Sequence, residues 1–218
     1  MLVQIYETQN PAEARELEAV GVDHVGVLVG KGAFPRELDY AKTGEIFAAL
    51  THALRVALTL SCDVAEISEV VDKTHPDILH LGTVPEGLSP SDVRGIKRRY
   101  PTVAVMRTIA VIDEGSLALA NAYAGIADYL LLDTYQAGDT QVGATGETHN
   151  WEISRAIVDT APMPVLLAGG LGLHNVVEAI RRVRPAGVDS KTLTDLAGGP
   201  HKDMEKVREF VRMAKAVP

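Results

Sequence analysis

Eight short apolar runs alternate along this chain with eight segments of helical periodicity. Each run is four to six residues long and rich in Val, Ile or Leu, which is typical of a parallel strand buried on both faces. The runs are Leu2–Tyr6, His24–Val29, Arg55–Leu60, Ile78–Leu81, Thr102–Arg107, Tyr129–Leu132, Pro164–Ala168 and Ala186–Asp189. The segments that follow them repeat apolar residues at spacings of three and four: Ala12–Val20, Gly44–Ala53, Val64–Asp72, Ser91–Arg99, Ser116–Ala124, Trp151–Asp159, Leu173–Val183 and Met204–Ala216.

Strict alternation of strands and helices predicts a parallel sheet. Eight such units predict an α/β fold, a closed (β/α)₈ TIM barrel that uses residues 1–218 as a single domain. Helix-start signals agree, since Asn10-Pro11 and Ser89-Pro90 each supply a cap and a first-turn proline. A doubly wound open sheet is the alternative, but the loop after the first strand lacks its glycine fingerprint.

The acidic composition limits the partners of the protein. The net charge is −8 and the pI about 5.4, which argues against a nucleic-acid-binding surface and against an anionic membrane. The single cysteine, Cys62, cannot form an internal disulfide. No apolar run approaches the ~20 residues of a membrane span, and the first residues lack a secretory signal pattern. We therefore expect a cytoplasmic protein.

The sixth strand is followed by the most informative segment of the chain. The apolar run from Tyr129 ends on a single carboxylate, Asp133, and a polar loop with several glycines leads to the helix that opens at Asn150-Trp151. In a (β/α)₈ barrel, catalytic groups lie at the carboxyl ends of the strands. We therefore predict that Asp133 is a site residue whose carboxylate is solvated at the barrel mouth.

The loops after the seventh and eighth strands predict a phosphate site. Gly169 and Gly170 follow the seventh strand and would let backbone N–H groups approach an anion closely. Ser190, Lys191 and Thr192 follow the eighth strand and add two hydroxyls and one positive charge. Because barrels of this type often hold phosphate between these two loops, we expect a small phosphorylated substrate.

Several motifs resemble those of the phosphoribosylanthranilate isomerase family. Asp133 with the segment Gly143–Trp151 is similar to LLLD…GGTGKTFDW, Leu167–Leu171 to LAGGL, Gly187–Asp189 to the start of GVDVSSGVE, and Gly199, Lys202 and Asp203 to PGxKD. The order of strands matches over nearly the whole chain, and the motifs are most specific from residue 129 onward.

This resemblance implies a (β/α)₈ barrel of the tryptophan pathway that needs no metal or cofactor. Members open the ribose ring of a phosphoribosylated anthranilate and rearrange the aminoaldose to an aminoketose. A cysteine at the end of the first strand acts as base, and an aspartate at the end of the sixth strand acts as acid. By this resemblance Asp133 is the acid, and Gly146 in the following loop contacts the substrate.

The first strand departs from the family pattern. The chain reads Gln4-Ile5-Tyr6-Glu7 where the family has a KxCG motif, so Tyr6 replaces the cysteine and Gln4 the lysine. A tyrosine has an ordinary pKa near ~10 and a cysteine near ~8.5, so Tyr6 could act as base only if its pKa were lowered, for instance by Arg107 across the mouth. Glu7 is the other candidate base, although strand alternation would point it outward. Tyr6 could also be only an aromatic wall of the pocket.

Three further positions correspond to substrate-binding positions of the family. His80 lies in His80-Leu81-Gly82-Thr83, where the family has QLHG; Arg107 replaces a lysine of the fifth strand; and Arg36 belongs to a proline-arginine pair in the loop after the second strand. We expect these residues and Gln4 to contact the substrate. A histidine at a strand end can equally be satisfied by the backbone, so His80 is open to both interpretations.

The sequence therefore predicts an isomerase that acts on a small phosphorylated pentose derivative by an Amadori-type aldose–ketose rearrangement. Because tyrosine replaces the cysteine base, we expect weak or no turnover of phosphoribosylanthranilate. One alternative is a lyase or hydrolase for another sugar phosphate or a nucleoside-like substrate on the same scaffold. A second is a sugar-phosphate-binding protein without catalysis. A homodimer is one assembly consistent with the sequence.

Overall fold

The computed structural model describes residues 1–135 and 148–218. Eight parallel strands form a closed barrel in chain order, and the last strand pairs with the first. The strands are β1 (Leu2–Ile5), β2 (His24–Leu28), β3 (Leu54–Thr59), β4 (Ile78–Leu81), β5 (Ala104–Ala110), β6 (Tyr129–Asp133), β7 (Val165–Leu167) and β8 (Gly187–Ser190). The predicted closed barrel is confirmed, and the open-sheet alternative is wrong because each of these strands has two partners.

Eight α-helices, all within the described residues, surround the barrel. They are α1 (Pro11–Ala19), α2 (Tyr40–Ala48), α3 (Val64–Thr74), α4 (Pro90–Arg99), α5 (Gly115–Ala122), α6 (Trp151–Thr160), α7 (Val176–Val183) and α8 (Met204–Lys215). Two short 3₁₀ turns, Pro85–Gly87 and Thr192–Thr194, lie after β4 and β8. In the described part of the chain, no helix has the length and apolar character that crossing a membrane requires.

The predicted bounds of three elements are wrong by three residues or more. Helix α2 begins at Tyr40 because Asp39 caps it, accepting a hydrogen bond from the amide of Lys42 at 2.9 Å. Helix α7 begins three residues later than predicted, at Val176. Strand β5 begins at Ala104, after a turn in which Val103 bonds back to Tyr100, and it continues to Ala110. The last shift matters for the site, because it moves Arg107 from the end of a strand to its interior.

Alternation along the strands produces two packed layers. One layer fills the barrel and consists of Tyr6, Val56, Ile78, Met106, Leu131, Leu166 and Ala168. The larger layer lies between the strands and the helices. Asp133 follows the interior residue Leu131 by two positions, and His80 follows Ile78 by two, so both side chains point into the carboxyl end of the barrel.

Candidate active site

A cavity of about 510 Å³ opens at the carboxyl ends of the strands. Its lining is Tyr6, Glu7, Leu28, Leu58, Leu60, His80, Gly82, Thr108, Leu131, Asp133, Asp189 and Lys191. A smaller recess of about 310 Å³ shares Asp133, Asp189 and Lys191 with it and extends between the loops after β7 and β8. We call the two spaces together the mouth. Its mixture of apolar walls with a few polar groups suits a small-molecule ligand.

Asp133 ends β6 and lines both spaces of the mouth. Its Oδ1 accepts a hydrogen bond from the amide of Thr134 at 2.7 Å. The surrounding protein removes water from this half-buried carboxyl group, which raises its pKa to about 7 despite that hydrogen bond. Asp133 is partly exposed at the mouth, as expected, but its carboxyl group is less solvated than one on the surface. The enclosed group can hold a proton near neutral pH, as a general acid requires.

Tyr6 and His80 form a hydrogen-bonded pair in the floor of the mouth. The Tyr6 hydroxyl shares a hydrogen bond with Nδ1 of His80, and Nε2 of the same ring lies 2.6 Å from Oγ1 of Thr108. Burial, helped by the charge of Arg107, lowers the pKa of His80 to about 3, so the ring is neutral. Burial also raises the pKa of Tyr6, and two nearby carboxylates add to the effect. The lowered pKa that a tyrosine base would need is therefore absent.

Asp189 is a second carboxyl group at the mouth, and the sequence analysis did not assign it a catalytic role. It is buried on β8, where Nε2 of Gln4 donates to its Oδ1 at 3.2 Å. Oε1 of Gln4 lies 3.0 Å from Nδ1 of His24, which fixes Gln4 beneath the mouth. Burial raises the pKa of Asp189 well above its usual range, and the charge of Asp133 adds to this. Its place at the carboxyl end of a strand, the signal used for Asp133, could have identified it.

The five residues predicted to bind phosphate all line the smaller recess: Gly169, Gly170, Ser190, Lys191 and Thr192. Gly169 and Gly170 have φ angles of +80° and +59°, which favour glycine. A Cβ atom on Gly169 would also lie 2.5 Å from Oγ1 of Thr134, so this position lacks space for a side chain. The hydroxyl of Ser190 donates to the carbonyl of Leu171 at 2.8 Å and ties the two loops together.

A charged cluster lies beside this recess and consists of Arg36, Lys191, Lys202, Glu7 and Asp195. Nη1 of Arg36 lies 2.9 Å from Glu7 Oε2 and 3.0 Å from Asp195 Oδ2. Nζ of Lys191 lies 3.2 Å and 3.5 Å from the same two oxygens. The buried Lys202 donates to the other oxygen of Asp195. Three positive groups and two negative groups leave one net positive charge beside the predicted anion site.

Glu7 enters this cluster because of an unusual backbone conformation. Its φ angle of +59° lies in the left-handed region and turns the side chain toward the mouth. Strand alternation would have pointed it outward, but β1 ends at Ile5, and the alternation no longer applies at Glu7. The argument against an inward Glu7 is therefore wrong.

Known proteins match this chain in sequence over most of its length. The family model of N-(5′-phosphoribosyl)anthranilate (PRA) isomerase matches residues 41–213. The chain belongs to the PRA isomerase family. The N-(5′-phosphoribosyl)anthranilate isomerase of Methanocella arvoryzae is 33% identical to it over 215 residues, 98% of this chain and 97% of that protein. The isomerase of Haloferax volcanii is 34% identical over 215 residues, 98% of this chain and 92% of that protein.

The barrel also agrees with solved structures of PRA isomerases. The crystal structure of the Thermotoga maritima enzyme superposes with a TM-score of 0.84 at 25% identity and covers 99% of each chain. This chain is thus an enzyme of an isomerase family with the barrel that its relatives have. The family model begins at residue 41, so the replaced base position at Tyr6 precedes the matched segment. The predicted contact Gly146 lies outside the described residues.

Arg107, at the position of a family lysine, does not reach the mouth. Its side chain points outward from β5 and is fully buried. Its guanidinium donates to the carbonyl oxygens of Leu81, Thr83 and Val84 at 2.9, 2.9 and 3.2 Å. The expectation that Arg107 binds substrate and lowers the pKa of Tyr6 is therefore wrong. Arg107 instead holds the loop that follows β4.

Proposed function

We propose that this PRA isomerase family member converts a phosphorylated N-substituted ribosylamine to the corresponding aminoketose, with phosphoribosylanthranilate as substrate. The observation that carries the proposal is one mouth that combines a glycine-lined anion recess with Asp133, a carboxyl group able to hold a proton near neutral pH. Identity of 33% and 34% to isomerases of this name, over 98% of the chain, supports the choice of substrate.

The phosphate of the substrate would lie in the smaller recess, near Gly170 and Thr192. Backbone N–H groups of the two loops and the net positive charge of the cluster favour an anion there. A hydrogen bond to a charged group contributes about 1.5–3 kcal/mol. Because Asp133 lines both spaces, a ligand anchored by its phosphate would extend its ribose ring toward this carboxyl group.

Asp133 would act as the general acid in ring opening. It protonates the ring oxygen while the nitrogen lone pair breaks the bond between C1 and that oxygen, which leaves an open-chain iminium ion. Removal of the C2 proton then gives an enolamine, and this tautomerises to the ketone as C1 gains a proton and the C2 hydroxyl loses one. A positioned general acid typically contributes 10²–10⁴-fold to such a reaction, and a pKa near the working pH suits it best.

Turnover by the purified protein tests this proposal. Phosphoribosylanthranilate is supplied, the loss of anthranilate fluorescence is followed, and the aminoketose is identified by mass spectrometry. We expect turnover that falls at least ~10²-fold in Asp133→Asn and is unchanged in Asp159→Asn, whose side chain is exposed on α6. Binding without turnover in the wild type, together with no growth of an isomerase-deficient strain that carries the gene, would support the non-catalytic alternative instead.

The number of subunits and the location of the protein stay predictions from the sequence. We propose a homodimer, and we propose a cytoplasmic location because the composition is that of an acidic globular protein. Light scattering of the purified chain across a concentration series measures its mass directly. A mass of one chain at all concentrations would contradict the dimer.

A further inference from the structure

The proposed reaction needs a group that takes the C2 proton, and the two candidates from the sequence do not suit this step. Tyr6 is buried against His80 and two carboxylates that oppose its ionisation, so it keeps its own proton. Glu7 is bound to Arg36 at 2.9 Å and to Lys191 at 3.2 Å. Both contacts are made by Oε2 and hold the Glu7 carboxylate in the charged cluster.

Asp189 faces Asp133 across a single intervening strand. The strand register places Asp133, Ala168 and Asp189 level with one another on β6, β7 and β8, because the residues just before them pair in the ladder. Because two strand spacings lie between them, the Cα atoms of Asp133 and Asp189 are roughly 9–10 Å apart. Both side chains point inward from the barrel wall. The residue between them, Ala168, carries only a methyl group, and both carboxyls line both parts of the mouth.

We infer that Asp189 is the catalytic base of this enzyme and removes the C2 proton, while Asp133 on the facing strand acts as the acid. The inference rests on the proposed function, which supplies the reaction. Gln4 holds Asp189 in place by donating to its Oδ1 at 3.2 Å. Gln4 stands where the family has a lysine, so in this chain the base is held by a neutral amide beneath the mouth.

The two carboxyl groups together hold one proton in the active form. Each ionised carboxyl opposes the ionisation of the other in an enclosed site, so the pair passes through a state with a single proton. Burial raises the pKa of both carboxyl groups, and the charge of Asp133 adds to the effect on Asp189. The pair therefore retains a proton near neutral pH, and the form that reacts is the one in which Asp133 carries that proton. Such pairs of carboxyl groups supply acid and base at one site in other enzymes.

The proton transfers balance without any additional reagent. The proton of Asp133 moves to the ring oxygen as the bond between C1 and that oxygen breaks. The bond between C2 and hydrogen then breaks, its proton passes to the Asp189 carboxylate, and its electron pair forms the C1–C2 double bond and neutralises the iminium nitrogen. Return of a proton to C1 and loss of one from the C2 hydroxyl complete an isomerisation.

The deuterium isotope effect on turnover of substrate labelled at C2 tests this assignment. Asp189→Asn is compared with Asp133→Asn and with the control Asp159→Asn on the outer face of α6. We expect kcat to fall at least ~10²-fold in both site variants, with KM nearly unchanged. The isotope effect should rise above the wild-type value in Asp189→Asn, where proton removal becomes slow. It should fall toward unity in Asp133→Asn, where ring opening becomes slow.

A second variant covers the case in which Asp189→Asn does not fold. Asp189→Ala leaves a space that formate can enter, and we expect added formate to restore part of its turnover but none of that lost in Asp133→Asn. Two outcomes for Asp189→Asn would overturn the base assignment and leave the proposed function standing. One is turnover close to that of the wild type, and the other is an unchanged isotope effect with a raised KM. A wild-type protein without turnover would overturn the proposed function, and this assignment with it.

Discussion

His80 and Arg107 lie on adjacent strands but on opposite faces of the barrel wall. His80 of β4 points inward and shares a hydrogen bond with Tyr6, whereas Arg107 of β5 points outward to the carbonyl oxygens of the loop after β4. In the ladder Arg107 pairs with Leu81, the neighbour of His80. A shift of one residue in the ladder therefore separates His80, which lines the mouth, from Arg107, which holds the loop after β4 in place.

We expect Arg107→Lys to lower stability and not substrate binding. The guanidinium donates to three carbonyl oxygens and to the hydroxyl of Tyr123, whereas a lysine ammonium has three N–H groups and leaves at least one of the four partners unpaired. Because a buried group left without a partner costs about 1–3 kcal/mol, the free energy of unfolding should fall by about 2 kcal/mol. Denaturant unfolding and KM are measured beside Arg98→Lys, an exposed position on α4. A raised KM at unchanged stability would return Arg107 to the substrate site.

The barrel was predictable because its cause is local. Short apolar runs and helical periodicity alternate in the sequence, and a closed parallel barrel satisfies that pattern for eight units. The positions of Asp133 and of the Gly169-Gly170 loop followed from the same pattern, because the carboxyl ends of parallel strands meet at one end of a barrel. No side-chain detail was needed to bring these residues to one mouth.

The arrangement of the charges could not be predicted, because it depends on contacts between distant segments. Arg36 and Asp195 are separated by 159 positions, and Gln4 and Asp189 by 185. The error at Arg107 came from a strand end placed three residues too early, which converted an outward interior position into a terminal one. With the end of β5 uncertain by three residues, the sequence did not specify whether Arg107 points into the barrel or outward from it.

We expect Gly169→Ala to weaken ligand binding, whereas Gly32→Ala should not. Both glycines have left-handed φ angles, +80° and +84°, so an alanine at either costs about 1–2 kcal/mol of backbone strain. Only at Gly169 would the added Cβ approach other atoms, Oγ1 of Thr134 at 2.5 Å and Nδ1 of His149 at 2.9 Å. Calorimetric titration with inorganic phosphate compares the two variants. Equal affinities in both would show that the shape of this loop does not matter for the anion.

We expect the enclosed carboxyl groups to make the protein less stable as the pH rises. The pKa of Asp133 in the folded protein is about 7, whereas an unfolded aspartate has a pKa near ~3.9. Between these values the unfolded chain binds fewer protons than the folded one, so the free energy of unfolding falls as the pH increases. Asp133→Asn should therefore melt at nearly the wild-type temperature near pH 4 and at a higher temperature near pH 8.

Thermal melts of the wild type, Asp133→Asn and Asp159→Asn across this pH range measure the effect. The other charged groups at the mouth, Asp189, Glu7, Lys191 and Lys202, stay in all three proteins, so the difference between the curves reports Asp133 together with its coupling to Asp189. A constant difference in melting temperature between wild type and Asp133→Asn at every pH would show that this carboxyl group has an ordinary pKa.

We expect Glu7→Gln to tighten the binding of inorganic phosphate and to preserve turnover. Glu7 neutralises part of the charge of Arg36 and Lys191, and without it the three positive groups of the cluster keep one carboxylate within the cluster, that of Asp195. A unit charge at about 4–8 Å is worth about 0.5–1 kcal/mol even in bulk water, so the dissociation constant should fall about two- to fivefold. The matched control is Glu178→Gln, which removes the same charge from the exposed face of α7.

Titration calorimetry gives the phosphate affinities of both variants, and steady-state kinetics gives their kcat. A loss of kcat of ~10²-fold or more in Glu7→Gln would identify Glu7 as the base, whereas an unchanged phosphate affinity would separate the charged cluster from the anion site.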